Sequence, residues 1–354
     1  MTLVWRSVAV AWLAAAASRP AHAQLPLLPR SVDSAAVPMM IGLELAQPIG
    51  LALTSGGFFV ADLRNPSVSK HAADGRLLWQ LKAKGRGPGD IQQPYRIAAT
   101  PDGGVLVFDQ GMRDFSAFTP SGTFVKRFTV NVAFQTVDNV AVLPDGRIVI
   151  VGYTRDTKAE DMAVHIFSRD GQWVRSLGLL PETKDASKLR YLGAGLMDMR
   201  PDGRLVFTRK GPYEIFDIDV DGHVRRLQAP RVIGPIADSV VDISTDSKGT
   251  ERISSRAAQM TVPLRTLALG NTGYLSMYSQ SGQMMIAMHS ATGAIQGTAA
   301  PTGVSLVAFD AVRCRFLGFQ DRADEPMLVE VPLNRRVDRG SSRNPDAEVA
   351  PCRI

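Results

Sequence analysis

Two aspartates stand in equivalent places and are the first candidates for chemistry. Asp62 opens the segment Asp62–Gly75 (DLRNPSVSKHAADG), and Asp109 opens Asp109–Gly122 (DQGMRDFSAFTPSG). With Asn65 they offer the hard oxygen donors that calcium takes, but calcium needs about six or more of them. No third carboxylate recurs at the equivalent position. The expected role of Asp62 and Asp109 is therefore to hydrogen-bond the loop that follows, as short acidic side chains do in turns. Calcium is the one cofactor this pattern invites, and the expectation is none. The histidines make no metal centre: His71 and His289 share one place in two copies, His165 falls on a matching strand, and His223 follows a turn. No two of them have a ligand spacing such as i, i+4 on a helix. Gly85–Asp90 is glycine-rich but lacks the Gly-Lys-Ser/Thr ending of a phosphate loop, and no GxSxG nucleophile elbow is present.

A second set is cationic. Arg64, Arg86, Arg113, Arg155, Arg209, Lys210 and Arg322 all fall where the pattern below places loops of one face, with Asp62, Asn65, Asp109, Tyr153 and Gln280 among them. Arginine forks match carboxylates and phosphates, so a cluster there favours a carboxylate, phosphate or acidic glycan ligand.

The elements that must position these residues repeat. The fourteen-residue segment recurs as Arg209–Gly222 (RKGPYEIFDIDVDG) and Gln280–Gly293 (QSGQMMIAMHSATG), so Arg209 and Gln280 replace the opening aspartate. Its seventh position is apolar throughout (Val68, Phe115, Ile215, Ile286), and a β-rich run precedes each copy. Upstream lie Pro-Asp-Gly turns at Pro101, Pro144 and Pro201, where proline presets φ and glycine accepts φ > 0. Four antiparallel strands repeating at roughly forty to fifty residues describe propeller blades. The expected fold is an all-β, six-bladed β-propeller with blades at 47–91, 92–134, 136–180, 195–230, 261–300 and 303–332. The sixth has three strands of its own, and the run Met39–Leu45 is expected to supply the missing one and close the ring, which removes exposed sheet edges.

These residues carry a resemblance. Val107 through Gly122 and Val60 through Gly75 resemble NHL repeats, and Gly85-Arg-Gly-Pro-Gly-Asp90 followed by Pro94 resembles the GxGPGEF…P connector of exported bacterial six-bladed propellers of the NHL/TolB-like group. The resemblance covers nearly all of the mature chain and implies the fold; some six-bladed propellers are metal-dependent lactonases.

The ends and the composition set the compartment. Arg6, the apolar stretch Val8–Ala17 and the small-x-small site Ala21-His22-Ala23 read as a signal peptide over 1–23. A linker follows over 24–36, the propeller over 37–334 and a C-terminal tail over 335–354. No run is long and apolar enough to span a membrane, so the product is periplasmic or secreted. Loss of Arg6 and Arg19 leaves 38 basic residues against 34 acidic, a net of +4 spread along the chain, which favours neither nucleic acid nor an anionic membrane. Cys314 and Cys352 are an even pair in an oxidising compartment and are expected to form a disulfide tying the tail to the last repeat.

In a propeller the second-to-third-strand loops and the interblade connections share one face. The long segments here, Tyr153–Asp161, Pro181–Ala194 and Arg231–Met260, all go to that face, whereas the opposite turns are short. In the last segment Thr250 is placed to cap a helix carrying Ile253, Ala257 and Met260. Loops on a rigid scaffold are where function usually sits. The functional expectation is a monomeric, non-catalytic binding or scaffold protein that holds a protein, peptide or saccharide there. A lactonase-like metal-dependent hydrolase and a subunit of an envelope assembly are the alternatives.

Overall fold

The computed structural model describes residues 28–29, 31–39, 41–82, 85–154, 162–180, 193–210, 213–227, 241–245, 251–255, 261–280, 282–299, 301–322 and 325–333. A short helix, α1 (Val32–Ala35), and a two-residue strand, β1 (Val37–Pro38), precede the first blade. That blade comprises β2 (Pro48–Thr54), β3 (Gly57–Asp62), β4 (Ser67–Ala72) and β5 (Leu77–Leu81). The second holds β6 (Pro94–Ala99), β7 (Val105–Asp109), β8 (Asp114–Phe118) and β9 (Phe124–Phe128). The third holds β10 (Phe134–Val142), β11 (Ile148–Thr154), β12 (Met162–Phe167) and β13 (Trp173–Leu179). The fourth follows with β14 (Leu196–Met199), β15 (Leu205–Lys210), β16 (Tyr213–Ile218) and β17 (Val224–Leu227). A hairpin, β18 (Val241–Thr245) and β19 (Glu251–Ser255), then intervenes. The fifth blade is β20 (Thr261–Leu269), β21 (Gly273–Gln280), β22 (Gln283–Ser290) and β23 (Ile295–Thr298). The sixth is β24 (Val304–Asp310), β25 (Arg315–Arg322) and β26 (Glu325–Pro332), completed by β1.

Each blade is an antiparallel sheet whose strands pair in chain order, and six such four-stranded sheets make the ring. The second strand of a blade lies between two neighbouring sheets, so both of its faces are apolar. Every residue of β3 (GFFVAD) and β7 (VLVFD) is buried. The outermost strands are more open: β5 and β9 hold no fully buried residue, and Leu78 and Val125 are exposed. Blades adhere through shared clusters: Phe59 and Val68 of the first pack with Val105 and Phe118 of the second, and Val149 and Ile166 of the third with Leu205 and Phe207 of the fourth. The apolar seventh positions Val68, Phe115, Ile215 and Ile286 are all buried there.

One face is closed by tight turns. Gly103 donates to Thr100 O at 2.9 Å, Gly146 to Leu143 O at 2.8 Å and Gly203 to Arg200 O at 2.9 Å. These glycines have φ of 82°, 86° and 83°, a conformation that needs no Cβ. The third-to-fourth-strand turns repeat the device at Gly75, Gly122, Gly171, Gly222 and Gly293.

Ring closure uses the N-terminal segment, but two residues earlier than Met39–Leu45. Val37 pairs with Glu330 and Pro38 with Val329, and Met39 N donates to Leu328 O at 3.0 Å. Met39 and Ile41 instead fill the apolar seam between the sixth and first blades, beside Phe58 and Leu317. The stretch is too apolar to lie on an outer edge, so burial wins over further pairing. Part of the 24–36 segment also docks: Val32 is buried beside Leu267 and Val304, and Asp33 accepts from Thr302 Oγ1 at 2.8 Å and Gly303 N at 2.9 Å.

The 231–260 insertion departs from expectation. Its described part is the β18–β19 hairpin, with Ile243 opposite Ile253, and not a helix around Ile253. The alternation Val-Asp-Ile-Ser-Thr against Glu-Arg-Ile-Ser-Ser has the period of a strand, and β-branched residues prefer that backbone. Thr250, Ala257 and Met260 lie outside the described residues, as do Arg155–Asp161 and Pro181–Arg190 of the other long segments. Cys314, in the β24–β25 turn with φ 51°, is disulfide-bonded. Cys352, like the signal segment and the tail, lies outside the described residues.

Candidate functional site

The residues singled out in the sequence gather at the loop-side ends of the second strands. Asp62, Asp109, Lys210, Gln280 and Arg322 are the last residues of β3, β7, β15, β21 and β25. Asp62 accepts from Ala46 N at 2.7 Å, from Gln47 N at 3.1 Å and from Asn65 N at 2.9 Å. Asp109 does the same with Gln92 N at 2.6 Å, Gln93 N at 3.1 Å and Met112 N at 3.0 Å. Each carboxylate thus ties the incoming interblade connection to the outgoing loop. Both side chains are buried and their acceptor capacity is spent on backbone.

The cations of this face are mostly engaged as well. Arg209 is buried against Glu214, which also receives Arg226 Nη2 at 2.8 Å. Arg113 donates through Nη2 to Phe134 O from a left-handed backbone, φ 57°. Arg64, Asn65 and Arg86 are exposed, and the Arg86 carbonyl receives Arg127 Nη1 at 2.9 Å. Tyr153 is half-buried against the cluster between the third and fourth blades. Arg155 lies outside the described residues, and for Lys210, Gln280 and Arg322 the backbone alone is described. Among those whose side chains are described, none lines the axial cavity.

The histidines sit inside blades. His71 stacks on Phe58 at 5.2 Å and His289 on Tyr274 at 4.6 Å, each one strand over. His165 bonds Ser176 Oγ at 2.8 Å and meets Phe134 edge-on. Burial pushes all three imidazoles down, His165 and His289 to about 4.

A different set of polar residues faces the axis. The innermost strands β2, β6, β10, β14, β20 and β24 enclose a cavity of about 810 Å³. Five of these strands slip register by one residue, at Ile49, Tyr95, Asp138, Leu264 and Val307. The residues just past the slips are Gly50, Arg96, Asn139, Arg265 and Ala308. Bulges of this kind re-aim side chains and are common beside functional sites. Arg96 belongs to the second blade and Arg265 to the fifth, so they face each other across the ring at equivalent positions.

The surroundings of the two arginines differ. Arg96 lies over the Tyr95 ring at 3.9 Å and donates through Nε to Asp138 O at 2.5 Å and through Nη1 to Tyr95 O at 2.9 Å. The side chain of Arg265 makes no hydrogen bond or ion pair among the described residues. Burial pushes its guanidinium down to about 10; Arg96 pushes in the same direction and Asp198 against it. Asp198 accepts from Met199 N at 2.9 Å and Ala268 N at 2.7 Å. Burial still raises its carboxyl to about 6, against those bonds and the Arg265 charge, although it keeps partial exposure to the lumen. Asp138 turns away, with Oδ2 accepting from Ala194 N at 2.5 Å. Asn139 donates to Met197 O at 2.7 Å. None of these residues was singled out in the sequence. The signal was Pro94-Tyr95-Arg96 and Pro263-Leu264-Arg265, one Pro-x-Arg step at the start of an inner strand in two opposed blades.

No protein-family model and no curated protein matches the chain. Solved structures do. A protein from Bacteroides fragilis named as exported is 9% identical, with 86% of this chain and 97% of that one covered and a TM-score of 0.60. A member of the DUF4221 family from Bacteroides vulgatus is 8% identical over 84% and 95%, with a TM-score of 0.57. A gluconolactonase from Xanthomonas campestris is 13% identical over 82% and 87%, with a TM-score of 0.51. The chain is a six-bladed β-propeller. At these identities the likeness concerns fold and not activity, because propellers host many chemistries.

Proposed function

We propose that the protein is an exported, non-catalytic binding propeller that holds a protein, peptide or saccharide partner on the face of its loops and interblade connections. The observation that supports this best is the inequality of the two faces. Hydrogen-bonded turns close one face in blade after blade. The other receives the connection between the fourth and fifth blades, which carries the β18–β19 hairpin, a sheet of its own. A two-stranded ribbon has little stability in water unless something packs against it, and a rigid ring presenting such an element is suited to capture. Export rests on the signal-like residues 1–23.

The lactonase alternative needs a ring of oxygen donors around a central cation. The axial positions hold Arg96, Asn139 and Arg265 beside Gly50 and Ala308, and among the described residues no three His, Cys, Asp or Glu side chains stand as a metal set. An envelope-assembly subunit needs a continuous apolar patch. Of the exposed aliphatics among the described residues, Val37, Leu78, Val125, Val174, Val224 and Ile295 fall on six different outer strands, one per blade, while Leu264 is on an inner strand and Val312 in a turn. The test is cross-linking in the native envelope with residues 241–255 replaced by a short Gly-Ser linker. Loss of a discrete adduct that the parent forms is the expected result. An adduct that persists unchanged in the linker variant, or no adduct with the parent, would overturn the assignment to this face.

A further inference from the structure

We propose that the axial cavity is an oxyanion site in which Arg96 and Arg265 grip a carboxylate or phosphate group of a small ligand from opposite blades. This stands independently of partner capture on the loop face. Two like charges at equivalent positions of opposed blades repel each other across one space, and that repulsion adds to burial in lowering the Arg265 guanidinium. Proteins seldom bury such an arrangement without a counter-charge.

Asp198 attracts Arg265 and offsets part of the repulsion, but neither nearby carboxylate makes a hydrogen bond to the Arg265 side chain among the described residues. Asp198 spends its two oxygens on the backbone of Met199 and Ala268, and Asp138 Oδ2 is taken by Ala194 N. A third arginine, Arg200, is buried in the same wall; its side chain donates from Nη1 to Asn271 O at 3.4 Å and its charge acts on Asp217. The charged residues that line the cavity are thus three arginines and two aspartates, Asp138 and Asp198. Arg96 is also pre-organised: the Tyr95 ring and two backbone carbonyls fix its plane, and Nη2 makes no bond among the described residues. A guanidinium held flat with an edge free is the arrangement that takes an oxyanion. The cavity volume of about 810 Å³ accommodates a ligand of metabolite size. Asn139 in the wall supplies a neutral polar contact for the remainder of such a molecule.

The experiment is calorimetric titration of the purified mature chain at low ionic strength, with inorganic phosphate in one arm and citrate in the other. One site per chain is expected for at least one probe, weakened at least tenfold by Arg265→Gln and by Arg96→Gln. Arg76→Gln, on the face of short turns, leaves it unchanged, and Arg265→Lys falls between because a point charge replaces a fork. Phosphate alone assigns the site to phosphoryl groups, and citrate alone to carboxylates. If neither probe binds, or if binding survives in both glutamine variants, the proposal is wrong. Should Arg265→Gln fail to fold, Arg96→Gln and Arg265→Lys carry the same comparison.

Discussion

The loop-side aspartates and the axial arginines are charged groups set on the second and the innermost strands of blades, yet their surroundings are opposite. Asp62 and Asp109 each receive three backbone N–H groups. The Arg265 side chain makes no hydrogen bond among the described residues, and it faces a second arginine with Asp198 as an attracting charge. A charge whose bonds are all made to its own loop is part of the fold. One left without a hydrogen-bonded partner in a cavity has capacity for something else. The recurrent residue is the structural one here, and the residue that breaks an apolar strand is the candidate for binding.

The largest effect that would test this contrast comes from Asp109→Ala. It orphans three backbone donors in a buried loop and should cost about 3 kcal/mol in urea unfolding. Anion titration of the folded variant should be unaltered; a collapse of anion binding there would erase the distinction between the two regions.

Next in size is the acid limb of the stability curve. His71, His165 and His289 have folded values below the ordinary 6.5, so the unfolded chain binds more protons in the window beneath it. Their stabilisation is present above pH 6.5 and is lost as pH falls towards about 4. His289→Phe should make the decline between pH 6.5 and pH 5 shallower by about 1 kcal/mol, because Phe118 already occupies that place in the second blade. An unchanged acid limb in urea melts would show that His289 is not the buried neutral group described.

A smaller, opposite effect belongs to the axis. Asp198 titrates high, at about 6, so what it contributes is present below pH 3.8 and lost as pH rises through about 6. Asp198→Asn should therefore steepen the rise of stability between pH 4 and pH 6, by less than about 1 kcal/mol because the lumen partly solvates the group. A flatter curve in that variant would mean that its environment is not desolvated.

Much of the fold was legible because repeats are a local signal. The apolar seventh position, the Pro-Asp-Gly turns and the β-rich runs each needed only a few adjacent residues. The closing strand was misplaced by two residues because Met39–Leu45 is apolar enough for a strand or a seam, and only packing against Phe58 and Leu317 decides between them. The helix expected near Ile253 failed for a related reason: a few apolar residues fit helical spacing by accident, while the alternating partner strand Val241–Thr245 lies outside that short window. The axial site was the least legible part. Arg96 and Arg265 meet only because blades two and five are opposed, and a register slip beside each aims it inward. Neither fact is local, although the repeated Pro-x-Arg step was on view.

The most direct test is the stability of Arg265→Gln against the parent in anion-free, low-salt buffer, followed by urea unfolding. Removal of an uncompensated cation should stabilise the free protein by about 1 kcal/mol, and the stabilisation that added phosphate or citrate gives the parent should shrink in the variant. A variant less stable than the parent by a similar amount, with the anion effect intact, would mean that Arg265 is a structural residue like Asp109 and that the axial cavity is not an anion site.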